Sequence, residues 1–243
     1  MSNTKVADAK PYTGALTPVN AANAIRSARI NARDLLESAE ILFSLKRFPH
    51  ATALSILAIE EAAKIGMLLM IFLEIGGEHA RLWRQYRNHR AKTSWLNPVI
   101  EGRIRAMLPK VLREDAKRIA AMGPSPEELE TSKQRTIYSD CLDVSGCFVA
   151  HCPDAAEWRT TAWERLCEAQ AIVSALRDYP PDELTLWHRH VTKAKAEDKD
   201  MHLTMTDLHK ELLEKGFVQE GWWDTLLQDA EAEAEAPVQP DLS

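Results

Sequence analysis

The stretch from His79 to Ile100 contains five basic side chains and neither Asp nor Glu. An imidazole can move the proton of a ribose 2′-hydroxyl, and arginine or lysine can stabilise the charge that develops on the phosphorus atom. These residue types therefore predict an RNA phosphate site, in which Trp83 and Tyr86 are available to stack on bases. The residues that carry this chemistry are Arg81, Arg84, Arg87, His89, Arg90 and Lys92.

Two further interpretations of the basic stretch stay open. A solvated arginine-rich helix face would give the same charge pattern without any function. So would a face neutralised by acids elsewhere in the fold, such as Glu60 and Glu61. A histidine on a helix is also more often structural than catalytic, although surrounding cations favour the neutral imidazole that a general base requires.

Helical spacing indicates which of these side chains can meet. On a regular helix from Glu78 to about Trp95, Lys92 lies three residues from His89 and shares its face. Arg84 lies five residues before His89, about 140° around the axis of an ideal helix. Arg84 can therefore reach His89 only through its long side chain, a local irregularity or a partner subunit.

The element expected to position these residues is an almost entirely apolar segment from His50 to Gly76, with Glu60, Glu61 and Lys64 in its middle. Its Leu, Met and Ala content predicts a central helix that other helices cover. Lys64 lies within one helical turn of both carboxylates and can pair with either. Three central charges would cost roughly 8 to 10 kcal/mol in a bilayer, so we reject a transmembrane interpretation.

The remaining pattern predicts an all-α fold, an antiparallel helical bundle with a small helical C-terminal extension. Asn20 is the expected cap of a first helix that runs to about Lys46 and forms a hairpin with the central helix. Further helices are expected over 99–122, from Ser125 to about Val144, and over 154–179, 182–195 and 206–215. The expected regions are a flexible leader (1–18), the bundle (19–195), the extension (196–230) and a disordered acidic tail (231–243).

Composition narrows the function classes. The formal net charge of −6 argues against a protein that coats nucleic acid by bulk charge, but it leaves a local basic site possible. The N-terminus lacks a signal-peptide pattern, which predicts a cytoplasmic protein without membrane association. No CxxC pair occurs among the cysteines, so we expect reduced thiols, no metal and no cofactor. The cysteines are Cys141, Cys147, Cys152 and Cys167.

Three motifs carry a resemblance to a known family. They are SILAIEEAAK (Ser55 to Lys64), RQYRNHRAK (Arg84 to Lys92) and RTIYSD (Arg135 to Asp140), followed by Pro153. In this order they resemble the AbiV-type abortive-infection proteins of the HEPN superfamily, over roughly residues 20–179. The resemblance implies a HEPN-like helical bundle that commonly dimerises.

The resemblance also implies a site. Ribonucleases of the superfamily carry an arginine and a histidine, separated by four to six residues, in a cleft where two protomers meet. Arg84 and His89 satisfy that spacing, with Gln85 in place of the commoner Asn or Asp. We therefore expect His89 as general acid/base with Arg84 and Lys92 on the phosphate. The expected supporting cleft residues are Glu60, Glu61, Lys64 and Tyr138, and the expected RNA-binding residues are Arg81, Arg87 and Arg90.

The function expected from this resemblance is anti-phage abortive infection by a metal-independent endoribonuclease that cleaves RNA and arrests translation or growth. The expected partners are RNA, a second copy of the chain, and a phage-encoded activator or an antitoxin-like inhibitor. The alternative is a non-catalytic helical dimer that binds a phage or host protein, or the translation machinery, through the same cleft. A structural ion-pair cluster tying two helices is an equal interpretation of Glu60, Glu61 and Lys64.

Overall fold

The computed structural model describes residues 10–88, 125–137, 140–144, 147–151, 156 and 158–218. Within these ranges the chain forms seven helices and one two-stranded hairpin. The elements are α1 (Pro18–Ser44), α2 (Phe48–Leu73), α3 (His79–Tyr86), α4 (Pro126–Ile137), β1 (Asp140–Val144), β2 (Cys147–His151), α5 (Arg159–Ser174), α6 (Pro181–Ala196) and α7 (Met201–Glu214). The predicted helical fold is confirmed, with a short hairpin added to it. None of the described helices is long and apolar enough to span a membrane.

The first two helices form the predicted hairpin. Pro18 occupies the first turn of α1, and the Thr17 hydroxyl accepts a hydrogen bond from the Asn20 backbone N–H at 3.2 Å. Thr17 is therefore the cap, and the expectation for Asn20 was wrong by three residues. Proline favours this position because its missing N–H has no helical partner there and its φ angle already suits the helix.

The central element is α2, as predicted, with most of its residues buried. Its alanine-rich middle, including Ala58 and Ala62, packs against Ala32 of α1 and Ala169 of α5. Small side chains at such contacts let helix axes approach closely. A second cluster surrounds the C-terminal half of α2 and joins it to α1, α3 and α6. It contains Ile25, Leu68, Ile71, Leu82, Trp83 and Leu184.

The helix that carries the basic motif is shorter than expected. It ends at Tyr86, where the Asn88 N–H bonds the Gln85 carbonyl at 2.9 Å and so tightens the last turn. The expectation of one regular helix through Trp95 was therefore wrong. Asparagine often ends helices because its short polar side chain competes with the backbone for hydrogen bonds.

The fourth helix begins as predicted and ends early. The Ser125 hydroxyl accepts from the Glu128 N–H at 3.2 Å, and the Glu128 carboxylate accepts from the Ser125 N–H at 2.6 Å, which is the predicted reciprocal cap. The helix ends at Ile137 rather than near Val144, because residues 140–144 pair with residues 147–151 in an antiparallel hairpin. A neighbouring strand offers this segment backbone partners, so tertiary pairing overrides its local helical pattern.

The C-terminal part contains two packed helices. The predicted helix over 182–195 is confirmed as α6, and the next helix, α7, begins at Met201, earlier than expected. Leu186 of α6 packs against Leu208 and Leu212 of α7. The predicted helix over 99–122, residues 219–230 of the expected extension and the acidic tail lie outside the described residues.

Candidate functional site

The three described arginines of the basic motif have different environments. Arg81 forms an ion pair with Glu78 one turn away, and both side chains are exposed. Arg87 donates a hydrogen bond to the Tyr12 backbone carbonyl at 3.2 Å. Arg84 is exposed and makes no ion pair in the part of the chain that the structure describes. Among the described residues, Arg84 and Arg87 therefore have no carboxylate partner, whereas Glu78 balances the charge of Arg81.

Beside Arg84, the Gln85 side chain faces inward. Its Oε1 atom is buried and has no hydrogen-bond partner among the described residues. A buried acceptor without a partner is costly, so such atoms often mark strain or a site that a ligand completes. Gln85 stands at the position after the motif arginine, where the resemblance implies a polar residue.

Trp83 is not available for stacking on a base, contrary to the expectation. Its side chain is only 7% exposed, inside the cluster that joins α3 to α1, α2 and α6. Its indole N–H donates to the Gly14 carbonyl at 2.8 Å. Tyr86 remains partly exposed and packs edge to face on Trp83, with ring centroids 5.3 Å apart.

Lys64 and Glu61 form a partly buried ion pair one turn apart on α2. The Lys64 ammonium also lies 5.8 Å from the centroid of the Tyr86 ring, so the pair faces the C-terminal end of α3. Burial, with the negative charge of Glu61 as a second cause, raises the pKa of Tyr86 above its ordinary value. Two of the predicted cleft residues, Glu61 and Lys64, are thus brought beside the basic motif.

Glu60 has a different partner from the one expected. Its carboxylate accepts a hydrogen bond from Lys133 of α4 at 2.7 Å, and both side chains are buried. Lys133 also pairs with Glu130 at 2.7 Å. Glu60 therefore belongs to an ion-pair cluster that ties two helices together, as the structural interpretation of the central charges expects. Lys133 was missed because sequence spacing shows only the local pair with Glu130, whereas α2 and α4 are far apart along the chain.

Four of the predicted site residues, His89, Arg90, Lys92 and Tyr138, lie outside the described residues. Their roles therefore stay predictions. Arg135, from the same motif as Tyr138, lines a polar groove between α4 and α5 together with Arg165 and Glu168. In the described ranges no group of three or more His, Cys, Asp and Glu side chains is arranged to hold a metal ion.

Residues 12–16, within the stretch expected to be a flexible leader, lie against α3. The Tyr12 ring meets Trp83 edge to face with centroids 5.7 Å apart. Trp83 and Arg87 donate to the carbonyls of Gly14 and Tyr12, as described above. Leu16 packs against the hydrophobic cluster that contains Trp83. No local pattern in the sequence indicates these contacts, because they join residues about seventy positions apart.

The motifs and the helical fold agree with a family comparison. The profile of the AbiV family, of the HEPN type, matches residues 20–174, which is more than half of the chain. The chain therefore belongs to the AbiV family of HEPN proteins, and this membership indicates a function of the abortive-infection, HEPN type. No curated protein and no solved structure matches the chain.

Proposed function

We propose that this protein is a metal-independent HEPN endoribonuclease that acts in anti-phage abortive infection. The observation that carries the proposal is the exposed Arg84 guanidinium. It has no carboxylate partner among the described residues, while the central acids are already paired, Glu60 with Lys133 and Glu61 with Lys64. The acids that could have neutralised the basic motif are thus engaged elsewhere, which leaves Arg84 able to bind a phosphate.

The proposed reaction needs only protein side chains and RNA. His89 takes the proton of a ribose 2′-hydroxyl, whose oxygen attacks the adjacent phosphorus. The bond to the 5′ oxygen of the next nucleotide breaks, and that oxygen leaves with the proton that His89 returns as general acid. The products are a 2′,3′-cyclic phosphate and a 5′-hydroxyl. Arg84 and Lys92 stabilise the extra negative charge that the phosphoryl oxygens carry in the transition state.

The end of α3 also lends support to this proposal. Because α3 ends at Tyr86, Arg84 and His89 do not share one regular helix, and the ideal separation of about 140° no longer applies to them. Glu61 and Lys64 orient the site from α2, with Lys64 held near Tyr86. Glu60 acts at a distance, by fixing α4 through Lys133. The remaining proposed roles are Tyr138 in the cleft and Arg81, Arg87 and Arg90 along the RNA.

A homodimer is part of the proposal, with the RNA bound in a cleft between two protomers in the cytoplasm. A phage-encoded activator would switch such an enzyme on at infection, or an antitoxin-like inhibitor would keep it silent until then. Cleavage would then arrest translation or growth and so limit phage production.

The second candidate is a non-catalytic helical dimer that binds a phage or host protein, or the translation machinery, through the same cleft. One observation favours it. Glu61 pairs with Lys64 and Glu60 pairs with Lys133, so these central acids have partners within the chain without a substrate. A binding protein would need Arg84 only as an anchor for an acidic partner.

Incubation of the purified protein with total RNA and a defined oligonucleotide in EDTA tests the two candidates. The variants are His89→Ala and, as a matched control, His50→Ala, which removes an exposed histidine at the start of α2. We expect cleavage by the wild type and the His50→Ala variant, 2′,3′-cyclic phosphate ends, and no cleavage by the His89→Ala variant. No cleavage by any of them, with and without an extract of phage-infected cells, would favour the binding protein.

A further inference from the structure

We propose that residues 12–16 form a strap that positions α3, and with it Arg84, for the reaction proposed above. The strap precedes the family match, which begins at residue 20, so the family relationship does not account for it. This inference deepens the proposed function. The expected effect of the strap on kcat rests on that function. Its structural consequence can be tested independently.

The strap holds α3 at three points. The Tyr12 ring packs edge to face on Trp83, the Gly14 carbonyl accepts the indole N–H of Trp83 at 2.8 Å, and the Tyr12 carbonyl accepts from Arg87 at 3.2 Å. Trp83 and Arg87 lie one turn apart and flank Arg84 in the sequence. Contacts on both sides of Arg84 restrict how α3 can rotate or shift along α2.

The strap has its own fixed shape. The Tyr12 hydroxyl donates to the Ala15 carbonyl at 2.6 Å, which folds the tyrosine back over Gly14. A Cβ atom at Gly14 would lie 2.9 Å from the Tyr12 hydroxyl oxygen, so a larger residue there would require the tyrosine side chain to shift. The other end is fixed because Thr17 caps α1 directly after Leu16. A tethered, preformed segment loses little entropy when it binds α3.

The strap reaches the candidate site through a continuous line of contacts. Tyr12 contacts Trp83, Trp83 contacts Tyr86 at 5.3 Å between centroids, and the Lys64 ammonium lies 5.8 Å from the Tyr86 ring. Aromatic pairs of this geometry prefer a defined angle, so the position of one ring constrains the next. The strap is therefore linked to the Lys64 and Glu61 pair as well as to Arg84.

α3 depends on such outside support because it is short. Eight residues form about two turns, and an isolated helix of that length is unstable in water. Tertiary contacts of Leu82 and Trp83 must therefore supply the free energy that stabilises this short helix. Removing the strap contacts should therefore loosen α3 before it affects the rest of the bundle.

Hydrogen exchange with mass spectrometry on the full-length protein tests the strap. Tyr12→Ala removes the ring contact, whereas Tyr12→Phe keeps that contact and loses only the bond to Ala15. Val19→Ala is the matched control, because Val19 and Tyr12 are both 55% exposed but Val19 lies outside the strap. In Tyr12→Ala we expect exchange in residues 79–87 to rise roughly three- to tenfold, the factor for losing one aromatic pair. We expect Val19→Ala to match the wild type and Tyr12→Phe to raise exchange less than Tyr12→Ala, because it loses only the bond to Ala15.

RNA cleavage by the same variants tests the positioning role. We expect Tyr12→Ala to lower kcat by a similar factor, with exchange in α2 unchanged, and Tyr12→Phe, which keeps the ring contact, to lower kcat less. Wild-type exchange in residues 79–87 of Tyr12→Ala would overturn the strap. Faster exchange in Tyr12→Ala with unchanged kcat and KM would mean that the strap is a purely structural contact. That result would overturn its positioning role. If the wild type cleaves no RNA, the proposed function fails, while the exchange data still decide whether the strap holds α3.

Discussion

The Lys133 ammonium donates a hydrogen bond to Glu60 at 2.7 Å across the contact between α4 and α2. The two side chains are only 7% and 3% exposed. Burial by itself lowers the pKa of Lys133, but its hydrogen bonds and charge interactions with Glu130 and Glu60 outweigh burial and raise the pKa. The lysine therefore stays charged in the core, and α4, which leads into the motif RTIYSD, is fixed to the helix that carries Glu61 and Lys64.

This buried pair predicts a large effect on stability. Lys133→Met removes the charge that compensates Glu60 while keeping most of the aliphatic chain, and we expect the free energy of unfolding to fall by about 3 kcal/mol. Urea denaturation, followed by circular dichroism, measures the change. Thr131→Ala, at an exposed position of the same helix, is the control and should stay within about 0.5 kcal/mol of the wild type. An equally small effect of Lys133→Met would show that the pair contributes nothing to the fold.

The helical fold could be predicted from the sequence because its signals are local. The apolar run of α2 indicates a covered helix, and the reciprocal cap of Ser125 and Glu128 needs only residues three apart. The proline and glycine that bound α6 and α7 act locally as well. Gly216, for example, ends α7 with a φ of 73°, which is costly for other residues.

The partners of the central charges could not be predicted in the same way. Spacing allowed Lys64 to pair with Glu60 or Glu61, and only the approach of α4 decides between them, because Lys133 takes Glu60. The early end of α3 has a local cause at Asn88, but residue spacing alone does not show that the helix ends there. The contacts of Tyr12 and Gly14 with Trp83 join distant segments and leave no periodic pattern.

The different environments of Arg81 and Arg84 predict different effects on RNA binding. Arg84 has no ion-pair partner among the described residues, whereas Arg81 already pairs with Glu78. We expect Arg84→Gln to reduce the slope of log K against log salt by about 0.7, one phosphate contact to a single strand, and Arg81→Gln to reduce it less. Fluorescence anisotropy with a labelled oligonucleotide at several salt concentrations gives the slopes. Equal slopes for Arg84→Gln and the wild type would show that Arg84 does not contact a phosphate.

The pKa of Tyr86 depends in part on Glu61, the carboxylate that pairs with Lys64. Burial, and secondly the charge of Glu61, raise the pKa of Tyr86 above 10.0. The stability contributed by neutral Tyr86 is therefore fully present below pH 10 and is lost as the pH rises through the folded-state pKa. We expect Glu61→Gln to lower the pKa of Tyr86, but not to its ordinary value, because burial is the larger cause and remains. NMR of 13C-labelled tyrosine follows this titration, and Glu37→Gln on the exposed face of α1 should leave the value unchanged.

The lowered pKa of Glu211 predicts how the attachment of α7 to α6 depends on pH. Hydrogen bonds from Arg189 and then from His190, the latter at 2.8 Å, lower the pKa of Glu211 from 4.5 to about 2. Because the folded-state pKa is depressed, this carboxylate stabilises the folded state above pH 4.5, and the contribution is lost as the pH falls towards 2. We expect Glu211→Gln to lower the free energy of unfolding in urea at pH 6, and the difference from the wild type to shrink steadily below pH 4.5. Glu214→Gln, at an exposed position of the same helix, should show no such convergence. A difference between Glu211→Gln and the wild type that stays constant from pH 6 to pH 3 would mean that the Glu211 charge does not hold α7 in place.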